Sequence, residues 1–261
     1  MRGRAALGRI AHEGRLLLCA VQFLTRLPTP SLTGFEPAWT TRAARWFPLV
    51  GQGVGLACAG VFVGAAQVWP QPLPALLAVA AGVLLTGGFH EDGLADTADG
   101  LGGGTTRAAR LAIMKDSRLG SYGALALGLV TAGRVAALAA LTPGAGALAL
   151  VAAHGAGRGF AVAVMAALPY AGDPAAAKLK PEPGGVRRGE AAFALAWGCA
   201  PIFLLGWAHA ALAVVLATAA TLLLARAARR GIGGHTGDVL GAVEQAAELA
   251  VLFAAAAGLA A

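Results

Sequence analysis

The chain has 261 residues, of which 57% are hydrophobic and 13% charged, and its mean hydropathy is +0.69. That composition excludes a soluble domain with a polar coat, and continuous apolar runs exclude a β-barrel, whose strands alternate. The net charge of +7 would suit nucleic acid in a soluble protein. In a membrane chain it predicts basic loops on one side and attraction for anionic headgroups or phosphorylated substrates, with no nucleic-acid partner. The expected fold is all-α: a polytopic integral membrane helical bundle, one domain over 1–261.

Residues 5–24 carry Arg9, His12, Glu13 and Arg15 among leucines. They are too charged to span and are expected to lie at the interface as an amphipathic helix. No cleavable signal peptide is expected in MRGRAALGRI. The prolines of FLTRLPTP end this segment. The first span is expected at about 46–69, with Trp at both ends and Gly51, Gly53, Gly55 and Gly60 for close helix contact. The second starts near 75 and runs into GGFHEDGLADTADGLGGG, residues 87–104. Further spans are expected at 121–141, 147–168, 191–207, 210–224 and 239–259, about seven transmembrane helices together. The loop 169–190 carries Lys178, Lys180, Arg187 and Arg188. The turns 70–74, 142–144 and 207–209 contain no Lys or Arg, so the basic loops, the N-terminus and the acidic stretch are expected on the cytoplasmic side, with the C-terminus outside. Cys19, Cys58 and Cys199 are isolated and predict no disulfide or metal spacing.

The acidic stretch is the chemical centre of the sequence. Asp92, Asp96 and Asp99 fall at i, i+4 and i+7, one face of a helix. Such carboxylates repel unless a cation sits between them, and a hard divalent ion, Mg²⁺ or Mn²⁺, fits oxygen ligands. A solvated acidic helix end is the plainer alternative. Asp116 lies in MKDSRLGSYG beside Lys115 and Arg118. It is either a surface charge cluster or a further carboxylate with cations for phosphate oxygens. In GIGGHTGD, residues 231–238, Thr236 or Asp238 could be a helix N-cap or part of a phosphate cradle. Arg134, Arg158, Glu244 and Glu248 are charges inside spans, either functional or paired, for instance Arg158 with Glu248. His90 ranks below the aspartates as a ligand. Together these features suggest metal-assisted phosphoryl or nucleotidyl transfer, with an Asp taking the proton of an attacking hydroxyl.

GGFHEDGLADTADG followed by IMKDSRLGSYGALAL closely resembles the cobalamin synthase family (adenosylcobinamide-GDP ribazoletransferase). FLTRLP, FPLVG, GRGF before ALPYA, and GGHTGDVLGA resemble it too, in the same order. The resemblance implies a multi-pass enzyme of the cell inner membrane that uses Mg²⁺ and works on the cytoplasmic side. It would transfer the adenosylcobinamide phosphate moiety of adenosylcobinamide-GDP to α-ribazole or its phosphate, releasing GMP, late in cobalamin biosynthesis. It implies Asp92, Asp96, Asp99 and Asp116 as metal-holding and catalytic residues. His90, Lys115, Arg118, Arg158, Thr236 and Asp238 would bind substrate or phosphate. Asp99 is assigned as base by analogy with CDP-alcohol phosphotransferases. The lipid bilayer is an expected partner, and a homo-oligomer stays open. The alternatives are a membrane CDP-alcohol phosphatidyltransferase, although Asp96 stands where those enzymes have Arg, and a cation-coupled transporter.

Overall fold

A computed structural model describes residues 2–32, 34, 36, 38–173 and 185–258; Lys178 and Lys180 lie outside them. Helix α1 (Arg2–Leu24) packs through Leu16, Cys19, Ala20 and Leu24. A short helix α2 (Ala38–Ala43) leads through a 3₁₀ turn into α3 (Phe47–Ala65), giving a continuous helical stretch Trp39–Ala65. Then come α4 (Leu73–Thr86), α5 (Phe89–Gly103), α6 (Arg107–Met114), α7 (Ser121–Ala139) and α8 (Pro143–Ala167). Next are α9 (Arg188–Cys199), extended by a 3₁₀ segment to Leu205, α10 (Trp207–Ile232) and α11 (Gly237–Ala255). Proline opens α3, α4 and α8 in the first turn, where no backbone N–H is needed and φ is already helical.

Five helical stretches are long and apolar enough to cross a bilayer, and a sixth is counted if α4 and α5 form one broken span bent by 90°. The expected seven therefore differ at two places. The second span is only 14 residues before it breaks, and the last helix carries Asp238, Glu244 and Glu248. Helix α8 is central: 83% of its most apolar stretch is buried within the protein, against 22% for α7 and for α10. Phe62, Leu138, Ile202 and Val251 of other elements share a core cluster with its Leu150. Helix α1 is stapled on by charge. Glu13 accepts from Arg45 at 2.7 Å and from Trp46 Nε1 at 3.0 Å, and Arg45 also reaches Glu190 of α9 at 3.0 Å.

Two of the four glycines expected to mediate helix contact do so. A Cβ at Gly51 would lie 2.3 Å from the His154 carbonyl and one at Gly55 2.7 Å from that of Leu150, whereas Gly53 and Gly60 face open space. Overpacking of this kind costs about 1–3 kcal/mol. Gly51→Ala is expected to lower the thermal midpoint in detergent by several degrees and Gly53→Ala to leave it unmoved. Reaction of the buried thiols of Cys19 and Cys58 with a fluorogenic dye during heating reads both.

Candidate active site

The site begins with the break between α4 and α5. Gly87 and Gly88 both adopt left-handed backbone, φ 71° and 68°, which residues with a Cβ rarely tolerate. The Arg26 side chain fills the place a Cβ on Gly87 would take, with Nε 2.2 Å from it. The break turns the polar helix α5 across α11. There Gly93 touches the Asp238 backbone so closely that a Cβ would lie 2.8 Å from its carbonyl oxygen.

The start of α11 is held by the end of α8. His235 N–H donates to the Pro169 carbonyl at 2.9 Å and Ala171 N–H to the His235 carbonyl at 2.8 Å, a parallel bridge of Tyr170 with His235. Arg107 donates to the Ile232 and Ala171 carbonyls at 2.8 and 2.9 Å, and Arg110 to that of Gly231 at 3.1 Å. These guanidinium groups satisfy the carbonyl end of α10, which attracts cations. In the sequence both arginines stand as plain loop charge between the acidic stretch and the span at 121–141.

These elements enclose a cavity of about 820 Å³. Asp92, Asp96, Lys115, Asp116 and Asp238 line its polar side, and His90, Arg158 and Glu244 also reach it. Asp92 is exposed and Asp96 half-buried, one turn apart on α5. Asp116 forms a two-pronged pair with Arg118, Nη2 to Oδ2 at 2.5 Å and Nε to Oδ1 at 3.0 Å. Hydrogen bonds from the Arg118 side chain and backbone lower the Asp116 carboxyl to about 2, so it stays ionised across the physiological range. Arg118 itself lies outside the cavity lining. Thr236 is the N-cap of α11: its hydroxyl accepts from Val239 N–H at 3.3 Å and donates to Asp238 Oδ2 at 3.2 Å.

Asp99 does not join the others. Its two carboxylate oxygens accept from the backbone N–H groups of Gly120 and Gly123, each at 2.8 Å, which caps the start of α7. Asp99 shares a helical face with Asp92 but sits about 10 Å farther along the axis, beyond the cavity.

Beneath the cavity lies a buried charge network. Arg134 reaches Glu91 at 3.1 Å and Glu248 at 2.9 Å. Arg158 pairs with Glu244 at 2.5 Å and Glu248 at 3.1 Å. His154 Nδ1 meets Glu248 at 2.5 Å, and Gln245 bridges Glu91 and Glu244. Glu244 Oε1 is paired by proximity, yet no donor hydrogen is aimed at it, and His90 Nδ1 stands 3.9 Å away. Among the described residues, His154, Glu244 and Glu248 are the group whose candidate ligand atoms all come within 4.8 Å of one another. The two guanidinium groups already supply positive charge there. Asp92, Asp96, Asp116 and Asp238 of the cavity are not part of that group.

Removing the shared acceptor should be severe. Glu248→Ala would leave two buried guanidinium groups short of a partner, a loss of about 3–5 kcal/mol, whereas Asp99→Ala removes a cap worth about 0.5–2 kcal/mol. Gel filtration and thermal melts in detergent should show the first variant largely unfolded and the second folded but less stable. Burial also holds the His235 imidazole below its usual 6.5. The folded chain then binds fewer protons than the unfolded one, so this part of the stability is full above 6.5 and shrinks as pH falls below it. Thermal midpoints from pH 8 to 5 should drop less for His235→Gln than for the wild type.

Residues 16–256, which include every residue lining the cavity, match the cobalamin-5-phosphate synthase family. The chain is 47% identical to an adenosylcobinamide-GDP ribazoletransferase of Leptothrix cholodnii, over 96% of this chain and 98% of that one. It is 44% identical to the Ralstonia nicotianae protein of that name, over 92% and 93%, and 44% identical to that of Shewanella frigidimarina, over 90% and 91%. No solved structure matches the chain. Similarity of this depth along nearly the whole length places the bundle and its cavity in one lineage: the chain belongs to the cobalamin-5-phosphate synthase family.

Proposed function

We propose that the chain transfers the adenosylcobinamide phosphate moiety of adenosylcobinamide-GDP to α-ribazole or its phosphate, forming adenosylcobalamin or its phosphate and releasing GMP. The observation that carries this reading is a single cavity in which Asp92, Asp96, Asp116, Asp238 and Lys115 face a largely apolar wall. The polar side suits a pyrophosphate, and the names of the relatives supply the substrates. Family membership leaves the CDP-alcohol and transporter readings without support.

Asp92 and Asp96 would hold Mg²⁺, with Asp116 as a further carboxylate of the same cavity. The ion would neutralise the pyrophosphate and the departing GMP. Lys115 adds a point charge for phosphate oxygens. A hydroxyl of the ribazole forms the new bond to the cobinamide-side phosphorus while the bond from that phosphorus to the GMP oxygen breaks. Its proton passes to a cavity carboxylate. We assign this role to Asp238, whose backbone packs on Gly93 next to Asp92, in place of Asp99, whose oxygens are taken by backbone amides. The site would face the cytoplasm across the inner membrane. Turns without Lys or Arg at 70–74, 142–144 and 207–209 support that side.

The direct test is purified protein in detergent with adenosylcobinamide-GDP, α-ribazole phosphate and Mg²⁺, with GMP as readout. Asp92→Asn and Asp96→Asn should each lower the rate at least about a hundredfold, and Asp99→Asn far less at matched folded protein. Full activity of both α5 variants at millimolar Mg²⁺ would sink the metal role, and release of CMP from a CDP-lipid would favour the alternative enzyme.

A further inference from the structure

Two sequence blocks, FLTRLP and FPLVG, contribute nothing to the acidic side of the cavity, yet each sends a phenylalanine into it. Phe23 from the first stacks on Phe47 from the second, ring centres 5.6 Å apart and planes at 12°. Phe23 also meets Phe89, the first residue of α5, edge-on at 5.3 Å. All three line the cavity, joined by Leu24, Val162 and Met165. Phe47 is 8% exposed and packs in the core, whereas Phe23 and Phe89 are only half-buried.

We propose that this aromatic end is the subsite for the heterocyclic base of the acceptor, a bicyclic ring of the benzimidazole class without polar exocyclic groups. The proposal rests on the transfer reading above and adds where the acceptor lies. Three ring systems compete for the place. The corrin is too large, with its side chains, to share about 820 Å³ with a pyrophosphate, so it stays at the mouth. Guanine presents a carbonyl, ring nitrogens and an amino group along its edges, and an apolar wall would leave most of them without partners, at a cost. A methylated benzimidazole loses little there and gains ring stacking.

Helix geometry then sets the direction of the nucleoside. Phe89, Asp92 and Asp96 fall at i, i+3 and i+7, one face of α5. Phe89 and Asp96 are about 10 Å apart along the axis, comparable to the length of a nucleoside. A base held at Phe89 therefore points its ribose, and the attacking hydroxyl, toward the carboxylates.

Free 5,6-dimethylbenzimidazole should inhibit GMP release by wild-type protein competitively against α-ribazole phosphate and not against the GDP donor. Phe89→Leu should raise the acceptor KM about tenfold with the donor KM unchanged, and should weaken α-ribazole binding in equilibrium dialysis without donor. Competition with the donor, no competition, or a donor KM that rises in place of the acceptor KM would overturn the subsite. Protein that binds α-ribazole through Phe89 but releases no GMP would overturn the transfer reading and leave the subsite standing. If Phe89→Leu does not fold, the competition pattern on wild-type protein decides the question alone.

Discussion

Charges inside an apolar bundle must neutralise one another, and the rest of this structure follows from how they do it. Glu91, Glu244 and Glu248 face Arg134 and Arg158 within the protein. The pairs join α5, α7, α8 and α11. Each arginine is shared between two carboxylates from the bundle, and losing a buried partner is costly, which ties the four helices to one another. Glu91 is the link that matters most for chemistry. It precedes Asp92 in the chain, so fixing Glu91 beneath α5 turns Asp92 and Asp96 up into the cavity. The cavity floor is thus rigid for an electrostatic reason before any substrate arrives.

Much of this was legible in the sequence. The spans at 121–141 and 147–168 meet α7 and α8 closely, the charges of Arg158 and Glu248 do pair, and the acidic helix, the Lys115–Asp116 segment and the Gly231–Asp238 loop do converge on one cavity. The break at Gly87–Gly88 was not legible. Consecutive glycines permit a turn but do not demand one, and the side chain packed against Gly87 is that of Arg26, 61 positions away. Asp99 deceived for a related reason: periodicity assigns a face, not a height along the axis. Arg118 looked like a phosphate ligand by proximity in sequence, while in space it serves to hold Asp116. The three phenylalanines come from separate sequence blocks, and only tertiary structure brings them together.

The glycine break has a consequence for the lipid around it. Helix α4 has 14 residues, about 21 Å of helix, against roughly 30 Å of hydrocarbon. So short a wall is met by a thinner bilayer, by flanking side chains that reach to the interface, or by neighbouring helices that cover the shortfall. The acidic helix continues from that short wall at a right angle, so the face bearing Asp92 and Asp96 begins where the apolar wall ends. The early end of one apolar helix thus makes room for a polar helix inside the same bundle.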